Sequence, residues 1–148
     1  EGKGLEENAQ YIEDIKLKLC HWFTVDDLFF LKRGGRISGV TATVGTMLSI
    51  KPILHVDDEG HLINVSKVRG RKAAITELAN RMEKLAVHPK DQDIFISHGD
   101  CIEDAEKLAS IIKERFGNDR ITISYVGPVI GAHSGPGTLA LFFLGEHR

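Results

Sequence analysis

The 148-residue sequence contains few cysteines, few prolines and no long apolar run. Its two cysteines, Cys20 and Cys101, are too few for a disulfide framework and lack the spacing of metal ligands. No run of about 18 apolar residues is present, so no transmembrane helix or stable membrane insertion is expected. Because residues 1–10 are polar and acidic, they do not resemble a signal peptide, and we expect a cytoplasmic protein.

A strong charge imbalance is also absent, since the formal net charge is −2. The basic stretch "KVRGRK" (67–72) has no interleaved aromatic residues, so it predicts a solvated loop and no nucleic-acid partner. Neither a GxGxxG fingerprint nor a P-loop occurs. His55, His61 and His88 lack the spacing of a ligand set. We therefore expect no cofactor and no metal.

The sequence does contain regularly spaced apolar residues, which predict an α/β (α+β-like) fold with a mixed β-sheet covered by helices. Helices are predicted over residues 1–20, 26–33, 39–49, 75–85 and 105–116. Strands are predicted over residues 21–25, 50–56, 61–68, 93–99, 120–127 and 138–145. The two strands on either side of "DDEG" predict a hairpin. The length predicts one domain over residues 1–148.

Local signals predict where several of these elements begin and end. Thr24 with Asp27, and Asp100 with Glu103, have the spacing of a capping box at a helix start. Gly34 is expected to end the second helix, and Gly117-Asn118 is expected to end the helix after Asp100. Pro52 predicts a strand start or an edge strand.

Two glycine-rich loops are the strongest candidates for a binding site. One is "KRGGRIS" (32–38), which carries Arg36, and the other is "GAHSGPG" (131–137), which carries His133. Glycines allow a close backbone approach, and the arginine fork can bind a carboxylate or a phosphate. Ser38 can cap the following helix, whose positive N-terminus would favour the same anion.

Structural explanations for these residues remain open at this stage. Gly34 and Gly35 are also typical of a simple helix end, and a single loop histidine is more often structural than functional. "SHGDC" (97–101) places His98 and Cys101 together, yet neighbours in sequence need not meet in space. A strand end followed by a helix cap at Asp100 explains that segment better.

Three segments of this sequence resemble the DegV family of bacterial lipid-binding proteins. They are "DDLFFLKRGGRISG", then "SIKPIL" with "KVRGRKAA", and finally "GPVIGAHSGPGTLALFFLG". The segments occur in the family's order and extend from about residue 24 to residue 145.

This resemblance implies a protein of two α/β domains that holds a fatty acid between them and presents it to a fatty acid kinase, which makes an acyl phosphate. Residues 1–148 resemble the C-terminal domain, so the N-terminal domain is expected to lie outside this chain. The implied ligand-binding residues are Arg36 and His133 with their neighbours Gly35, Ile37, Ser38, Ala132 and Ser134. An apolar surface beside the site, and self-association through it, are also expected.

The leading hypothesis is therefore a domain that binds a long-chain fatty acid and is not itself an enzyme. One alternative is an enzyme that acts on a small phosphorylated or carboxylic metabolite with His133 as general acid or base. Another alternative is an interaction domain that binds an acidic partner through Arg69 and Arg71 of "KVRGRK".

Overall fold

The computed structural model describes residues 2–37 and 49–148, and its elements confirm the predicted α/β fold with a mixed sheet. The helices are α1 (Leu5–Ile15), α2 (Leu28–Arg33), α3 (Arg71–Leu85), α4 (Ile102–Phe116) and α5 (Pro128–Ser134). The strands are β1 (Leu19–Thr24), β2 (Ile50–Val56), β3 (Leu62–Arg69), β4 (Ile94–His98), β5 (Ile121–Tyr125) and β6 (Leu139–Leu144). The predicted helix over residues 39–49 lies almost wholly outside the described residues.

The strands form one sheet in the order β3-β2-β1-β6-β4-β5. β4 and β5 are parallel, whereas the other neighbouring strands are antiparallel. The predicted hairpin is confirmed as β2 and β3. Pro52 is the third residue of β2, which is not an edge strand, but β2 pairs with β1 only around Leu54 and His55. The missing N–H of Pro52 therefore costs no hydrogen bond to β1.

Alternating side chains along the strands divide the core into two parts. In β6, Leu139, Leu141 and Phe143 point to one face, which α3 and α4 cover with their apolar sides. This larger core is almost completely buried, as the periodicity of both helices predicts. Gly117, at φ 65°, ends α4 as predicted.

The opposite face of the sheet carries a smaller apolar cluster, and we call it the cleft face. Phe23, Leu54 and Ala140 from the sheet contact Leu28 and Leu31 of α2 there. Helix α1 buries none of its residues. Because α2 is only six residues long, much of the cleft face lies outside its cover.

Both predicted capping boxes are wrong. The N-cap of α2 is Asp27, whose carboxylate accepts a 2.8 Å hydrogen bond from the N–H of Phe29, whereas Thr24 is a buried residue of β1. At α4 the N-cap is Cys101, and Asp100 lies outside the helix at φ 53°. Nδ1 of the buried His98 accepts a 3.2 Å hydrogen bond from the N–H of Cys101. The His98 ring thus binds the N–H of the N-cap residue, and the Cys101 side chain makes no capping hydrogen bond to α4.

Candidate functional site

The position of Arg36 follows from the way α2 ends. Gly35 has φ 70°, the N–H of Gly35 donates to the carbonyl of Lys32 at 3.0 Å, and the N–H of Arg36 donates to the carbonyl of Leu31 at 2.9 Å. These two bonds form a Schellman motif, in which glycine takes the left-handed position without strain. The guanidinium donates back to the carbonyl of Gly34 at 2.6 Å. Arg36 therefore leaves the helix end in a fixed direction.

His133 lies in the last turn of α5 and contacts the end of α2. A Cβ added to Gly34 would overlap the imidazole ring, with Nδ1 as its nearest atom. Helix α5 extends to Ser134, so residues 131–134 are helical, and the prediction that 131–137 is all loop is wrong for this part. Pro128 at the first helical position was the signal for this helix, because proline favours that position.

The two other glycines of "GAHSGPG" that follow His133 also allow close packing. Gly135, at φ 79°, lies under the ring of Phe30, and a Cβ there would come within 2.6 Å of the ring carbons. Gly137, at φ 75°, lies against the carboxylate of Asp26 in the same way. The glycines of both loops thus bring the end of α2 and the end of α5 into direct contact.

Arg36 and His133 line one cleft of about 380 Å³ over the cleft face of the sheet. This volume lies within the range of roughly 300–1,000 Å³ for small-molecule sites. Most of the cleft surface is apolar, and it includes Phe23, Leu62, Val129, Ile130, Ala140 and Phe142. The arrangement therefore places the Arg36 guanidinium and the His133 imidazole beside a mostly apolar surface.

The other predicted site residues divide between the cleft and its surroundings. Ser134 lines the cleft, and its hydroxyl donates to the carbonyl of Ile130 at 2.8 Å. The lining does not include Gly35, Ile37 or Ala132. Gly35 instead shapes the helix end, and Ile37 packs against the small apolar cluster. Ser38 lies outside the described residues.

The sequence analysis predicted only Arg36, His133 and Ser134 of the lining, and two of the polar residues that it missed are Thr138 and His21. The hydroxyl of Thr138 donates to the carbonyl of Gly135 at 2.7 Å, which fixes the loop behind His133. His21 lies at the other end of the cleft, and its pKa is lowered by burial and by the charge of Arg148. The alternation of β1 between the two faces was the available signal for His21, because it puts His21 and Phe23 on the same face.

The His98–Cys101 neighbourhood does not form an activated thiol. Sγ of Cys101 lies 3.2 Å from the carbonyl of Thr138 and 3.4 Å from Nη2 of Arg71. Burial raises the pKa of this thiol even though the Arg71 charge lowers it. A thiol with a raised pKa is a poor nucleophile at neutral pH, so we assign this cluster a structural role.

Arg71 takes part in a network of charges behind the loop of His133. Its Nε donates to Asp104 at 2.7 Å, and its Nη1 lies 3.5 Å from Asp26. Nζ of Lys51 lies 2.8 Å from the same Asp26 oxygen. Only 19% of the Arg71 side chain is exposed. The prediction that "KVRGRK" is a loop is wrong, because residues 67–69 belong to β3 and residues 71–72 begin α3. Lys67, Arg69 and Lys72 are nevertheless exposed, as expected.

One set of possible metal ligands occurs in the turn between β2 and β3. Ligand atoms of Asp57, Glu59 and His61 all lie within 4.8 Å of one another, although Glu59 and His61 are exposed. Asp57 already accepts a 2.7 Å hydrogen bond from the N–H of His61, which explains the geometry as a turn. Separately, no helix within the described ranges is long and apolar enough to cross a membrane.

Known proteins similar to this chain are about twice as long. A DegV domain-containing protein of Clostridium perfringens is 52% identical over all 148 residues, which cover 51% of that protein. The chain thus spans about half the length of the curated relatives it matches.

Solved structures show the same architecture. The fatty acid binding DegV family protein of Streptococcus agalactiae is 31% identical with a TM-score of 0.80, over 99% of this chain and 51% of that one. The fatty acid kinase B3 protein of Streptococcus pneumoniae, loaded with linoleic acid, is 21% identical with a TM-score of 0.86, over 98% of this chain and 51% of that one. The model of the family described as "Uncharacterised protein, DegV family" matches residues 1–146. The chain belongs to the DegV family.

Proposed function

We propose that this chain is the C-terminal domain of a two-domain cytoplasmic protein that binds a long-chain fatty acid and presents its carboxyl group to a fatty acid kinase. The main observation behind this proposal is that Arg36 and His133 line the same mostly apolar cleft. A carboxylate with a hydrocarbon tail matches both parts of this surface.

The two polar side chains have distinct chemical roles in this proposal. The Arg36 guanidinium remains charged and offers a planar fork to the carboxylate or to the acyl phosphate made from it. His133 donates a hydrogen bond to the same group from an imidazole that packs against Gly34. The kinase supplies the phosphoryl group, so the chain needs no nucleophile of its own.

The similar proteins support the ligand and the partner to different extents. The Streptococcus agalactiae protein is named as fatty acid binding. The Streptococcus pneumoniae protein is named as part of a fatty acid kinase and holds linoleic acid. At 21% identity this second likeness shows a shared fold, so the kinase step rests on that name alone.

Because the relatives are about twice as long, a second domain is expected to supply part of the contacts with the fatty acid, and this lowers the affinity expected of this chain alone. Burying a methylene contributes about 0.8 kcal/mol, so a tail of about 15 methylenes contributes on the order of 10 kcal/mol. If a second domain supplies half of the contacts, this chain alone loses about 5 kcal/mol, which is three to four decades of affinity. Tyr125 and Val129 line the cleft and are 69% and 68% exposed. We expect this surface to contact the second domain, or a second copy of the chain when that domain is missing.

The chemistry of the cleft favours binding over catalysis. Among the described residues that line it, none carries a carboxylate or a thiol that could act with His133. The enzyme alternative needs such a partner. The interaction-domain alternative is weakened at Arg71, because that side chain is paired with Asp104, whereas Arg69 is exposed and is still available to an acidic partner.

The proposal is tested with the full-length protein that contains this chain, a fatty acid kinase and ATP. Arg36→Ala and His133→Ala should each lower acyl-phosphate formation, whereas Arg120→Ala, which removes an exposed ion pair with Asp93, should not. Unchanged binding and unchanged acyl-phosphate formation in both cleft variants would show that the site is assigned wrongly. Turnover without any kinase would favour the enzyme alternative.

A further inference from the structure

The sheet arranges the side chains of the cleft face in rows that run across the strands. Phe23 of β1 pairs with Ala140 of β6, and Ala140 pairs with Ser97 of β4. Residues paired in this way lie on the same face of a sheet. All three line the cleft, and two of them have small side chains. This row therefore forms a low floor on which a ligand can lie.

The next row on this face is bulky. It consists of His21, Phe142 and Phe95, which are paired across β1, β6 and β4. It lies two residues along each strand from the first row, a distance of about 7 Å. The rings of His21 and Phe142 meet edge to face, with centroids 5.3 Å apart and planes at 72°. The floor of the cleft therefore ends at a wall of two contacting rings.

A second cleft begins beyond this wall on the same face. It is open and has a volume of about 640 Å³. Its lining combines apolar residues, among them Ile15, Leu19 and Leu144, with the polar residues Asp91, Gln92, Asp93 and Arg120. Phe142 lines both clefts, and it is the one residue they share in the described part of the chain. Removing its ring would therefore join the two spaces.

We propose that Phe142 is a specificity residue that ends the path of the acyl chain and limits its length. The inference rests on the proposed fatty-acid binding. Thr138 lies beside the His133 loop, and Ala140 and Phe142 follow it on β6 at increasing distance from that loop. A tail whose carboxylate contacts Arg36 and His133 thus passes over Ala140 and then meets Phe142.

This arrangement predicts how affinity depends on chain length. Each further methylene buried in the cleft tightens binding about fourfold, which corresponds to about 0.8 kcal/mol. Once the tail reaches Phe142, further methylenes are not buried in the cleft, so the affinity stops rising. Phe142→Ala opens the second cleft to the tail. The affinity should then continue to rise for longer fatty acids, while shorter acids bind as before.

The experiment measures dissociation constants of a series of saturated fatty acids with the full-length protein that contains this chain. In the wild-type protein the affinity should stop rising at a certain chain length. Phe142→Ala should let the affinity rise beyond that length, and Phe142→Leu should do so to a smaller degree. Phe95→Ala is the matched control, because Phe95 is in the same row but lines only the second cleft of the two. Ala140→Phe should weaken the binding of every fatty acid in the series, because the larger side chain occupies the space above Ala140.

The outcomes separate this inference from the proposed function. If the wild-type protein binds no fatty acid, the proposed function fails and the length limit fails with it. If the wild-type protein binds fatty acids but Phe142→Ala and Phe142→Leu both keep the wild-type limit, only the role of Phe142 is wrong. An equal extension in Phe95→Ala would also contradict it, because the limit would then not belong to the shared residue.

Discussion

The imidazole of His133 occupies the space that a side chain at Gly34 would need. This contact joins the end of α2 to the end of α5, and it places His133 in the same cleft as Arg36. Glycine is therefore required at residue 34 for spatial reasons, because its own φ of −76° suits any residue.

Gly34→Ala should displace the His133 ring and destabilise the domain by about 1–3 kcal/mol, the usual cost of overpacking. Gly131→Ala is the matched control, because its Cβ would meet only Val126 at 3.6 Å, an ordinary contact. Alanine in the α5 helix should stabilise by about 0.5–1 kcal/mol. Urea unfolding of both variants measures the difference. Equal stability of the two variants would contradict the close contact.

Removal of Arg71 should cost more than removal of Arg120. The Arg71 side chain is 19% exposed and contacts Asp104, Asp26 and Cys101. Arg71→Ala should therefore cost about 1–3 kcal/mol, because it removes the charged partner of the partly buried carboxylate of Asp104, whereas Asp26 keeps its ion pair with Lys51. Arg120 forms two 2.8 Å bonds to Asp93, but both side chains are more than half exposed, so Arg120→Ala should cost about 1 kcal/mol or less. Thermal and urea unfolding test this order, which a larger loss in Arg120→Ala would reverse.

Two half-buried histidines, His21 and His55, should make the domain less stable in mild acid. Burial lowers the pKa of His21 and of His55, with the Arg148 charge acting in the same direction on both. The unfolded chain therefore binds more protons than the folded one as the pH falls below about 6.5. Stability from these groups is fully present above that pH and is lost as the pH falls through the folded values.

The double variant His21→Gln with His55→Gln should flatten this acid limb of the stability curve, measured by urea unfolding between neutral pH and mild acid. His61→Gln is the control, since His61 is exposed. An unchanged acid limb in the double variant would show that other groups cause the loss of stability.

Most strands and long helices could be predicted because each has a periodicity that extends over many residues. Helix α5 could not be predicted in this way, because seven residues with a glycine among them give no clear period. The start of α4 was also predicted wrongly, because Asp100 has φ 53° and the helix has Cys101 as its N-cap, without a side-chain cap.

The candidate site depended on the family resemblance more than on local pattern. Either glycine loop alone is compatible with a helix end or a turn. The contacts of Gly34 with His133 and of Gly135 with Phe30 join segments far apart in the sequence, so no local signal describes them. His21 and Phe142 were missed as lining residues because their neighbours across the sheet depend on strand order and register.

The central claim is that the cleft of Arg36 and His133 holds a fatty acid. The most direct measurement is mass spectrometry of the small molecules extracted from the full-length protein as purified. The account predicts about one molecule of long-chain fatty acid per molecule of wild-type protein, and much less fatty acid in Arg36→Ala and His133→Ala. A wild-type protein that carries no fatty acid, and does not take one up when it is supplied, would contradict the claim.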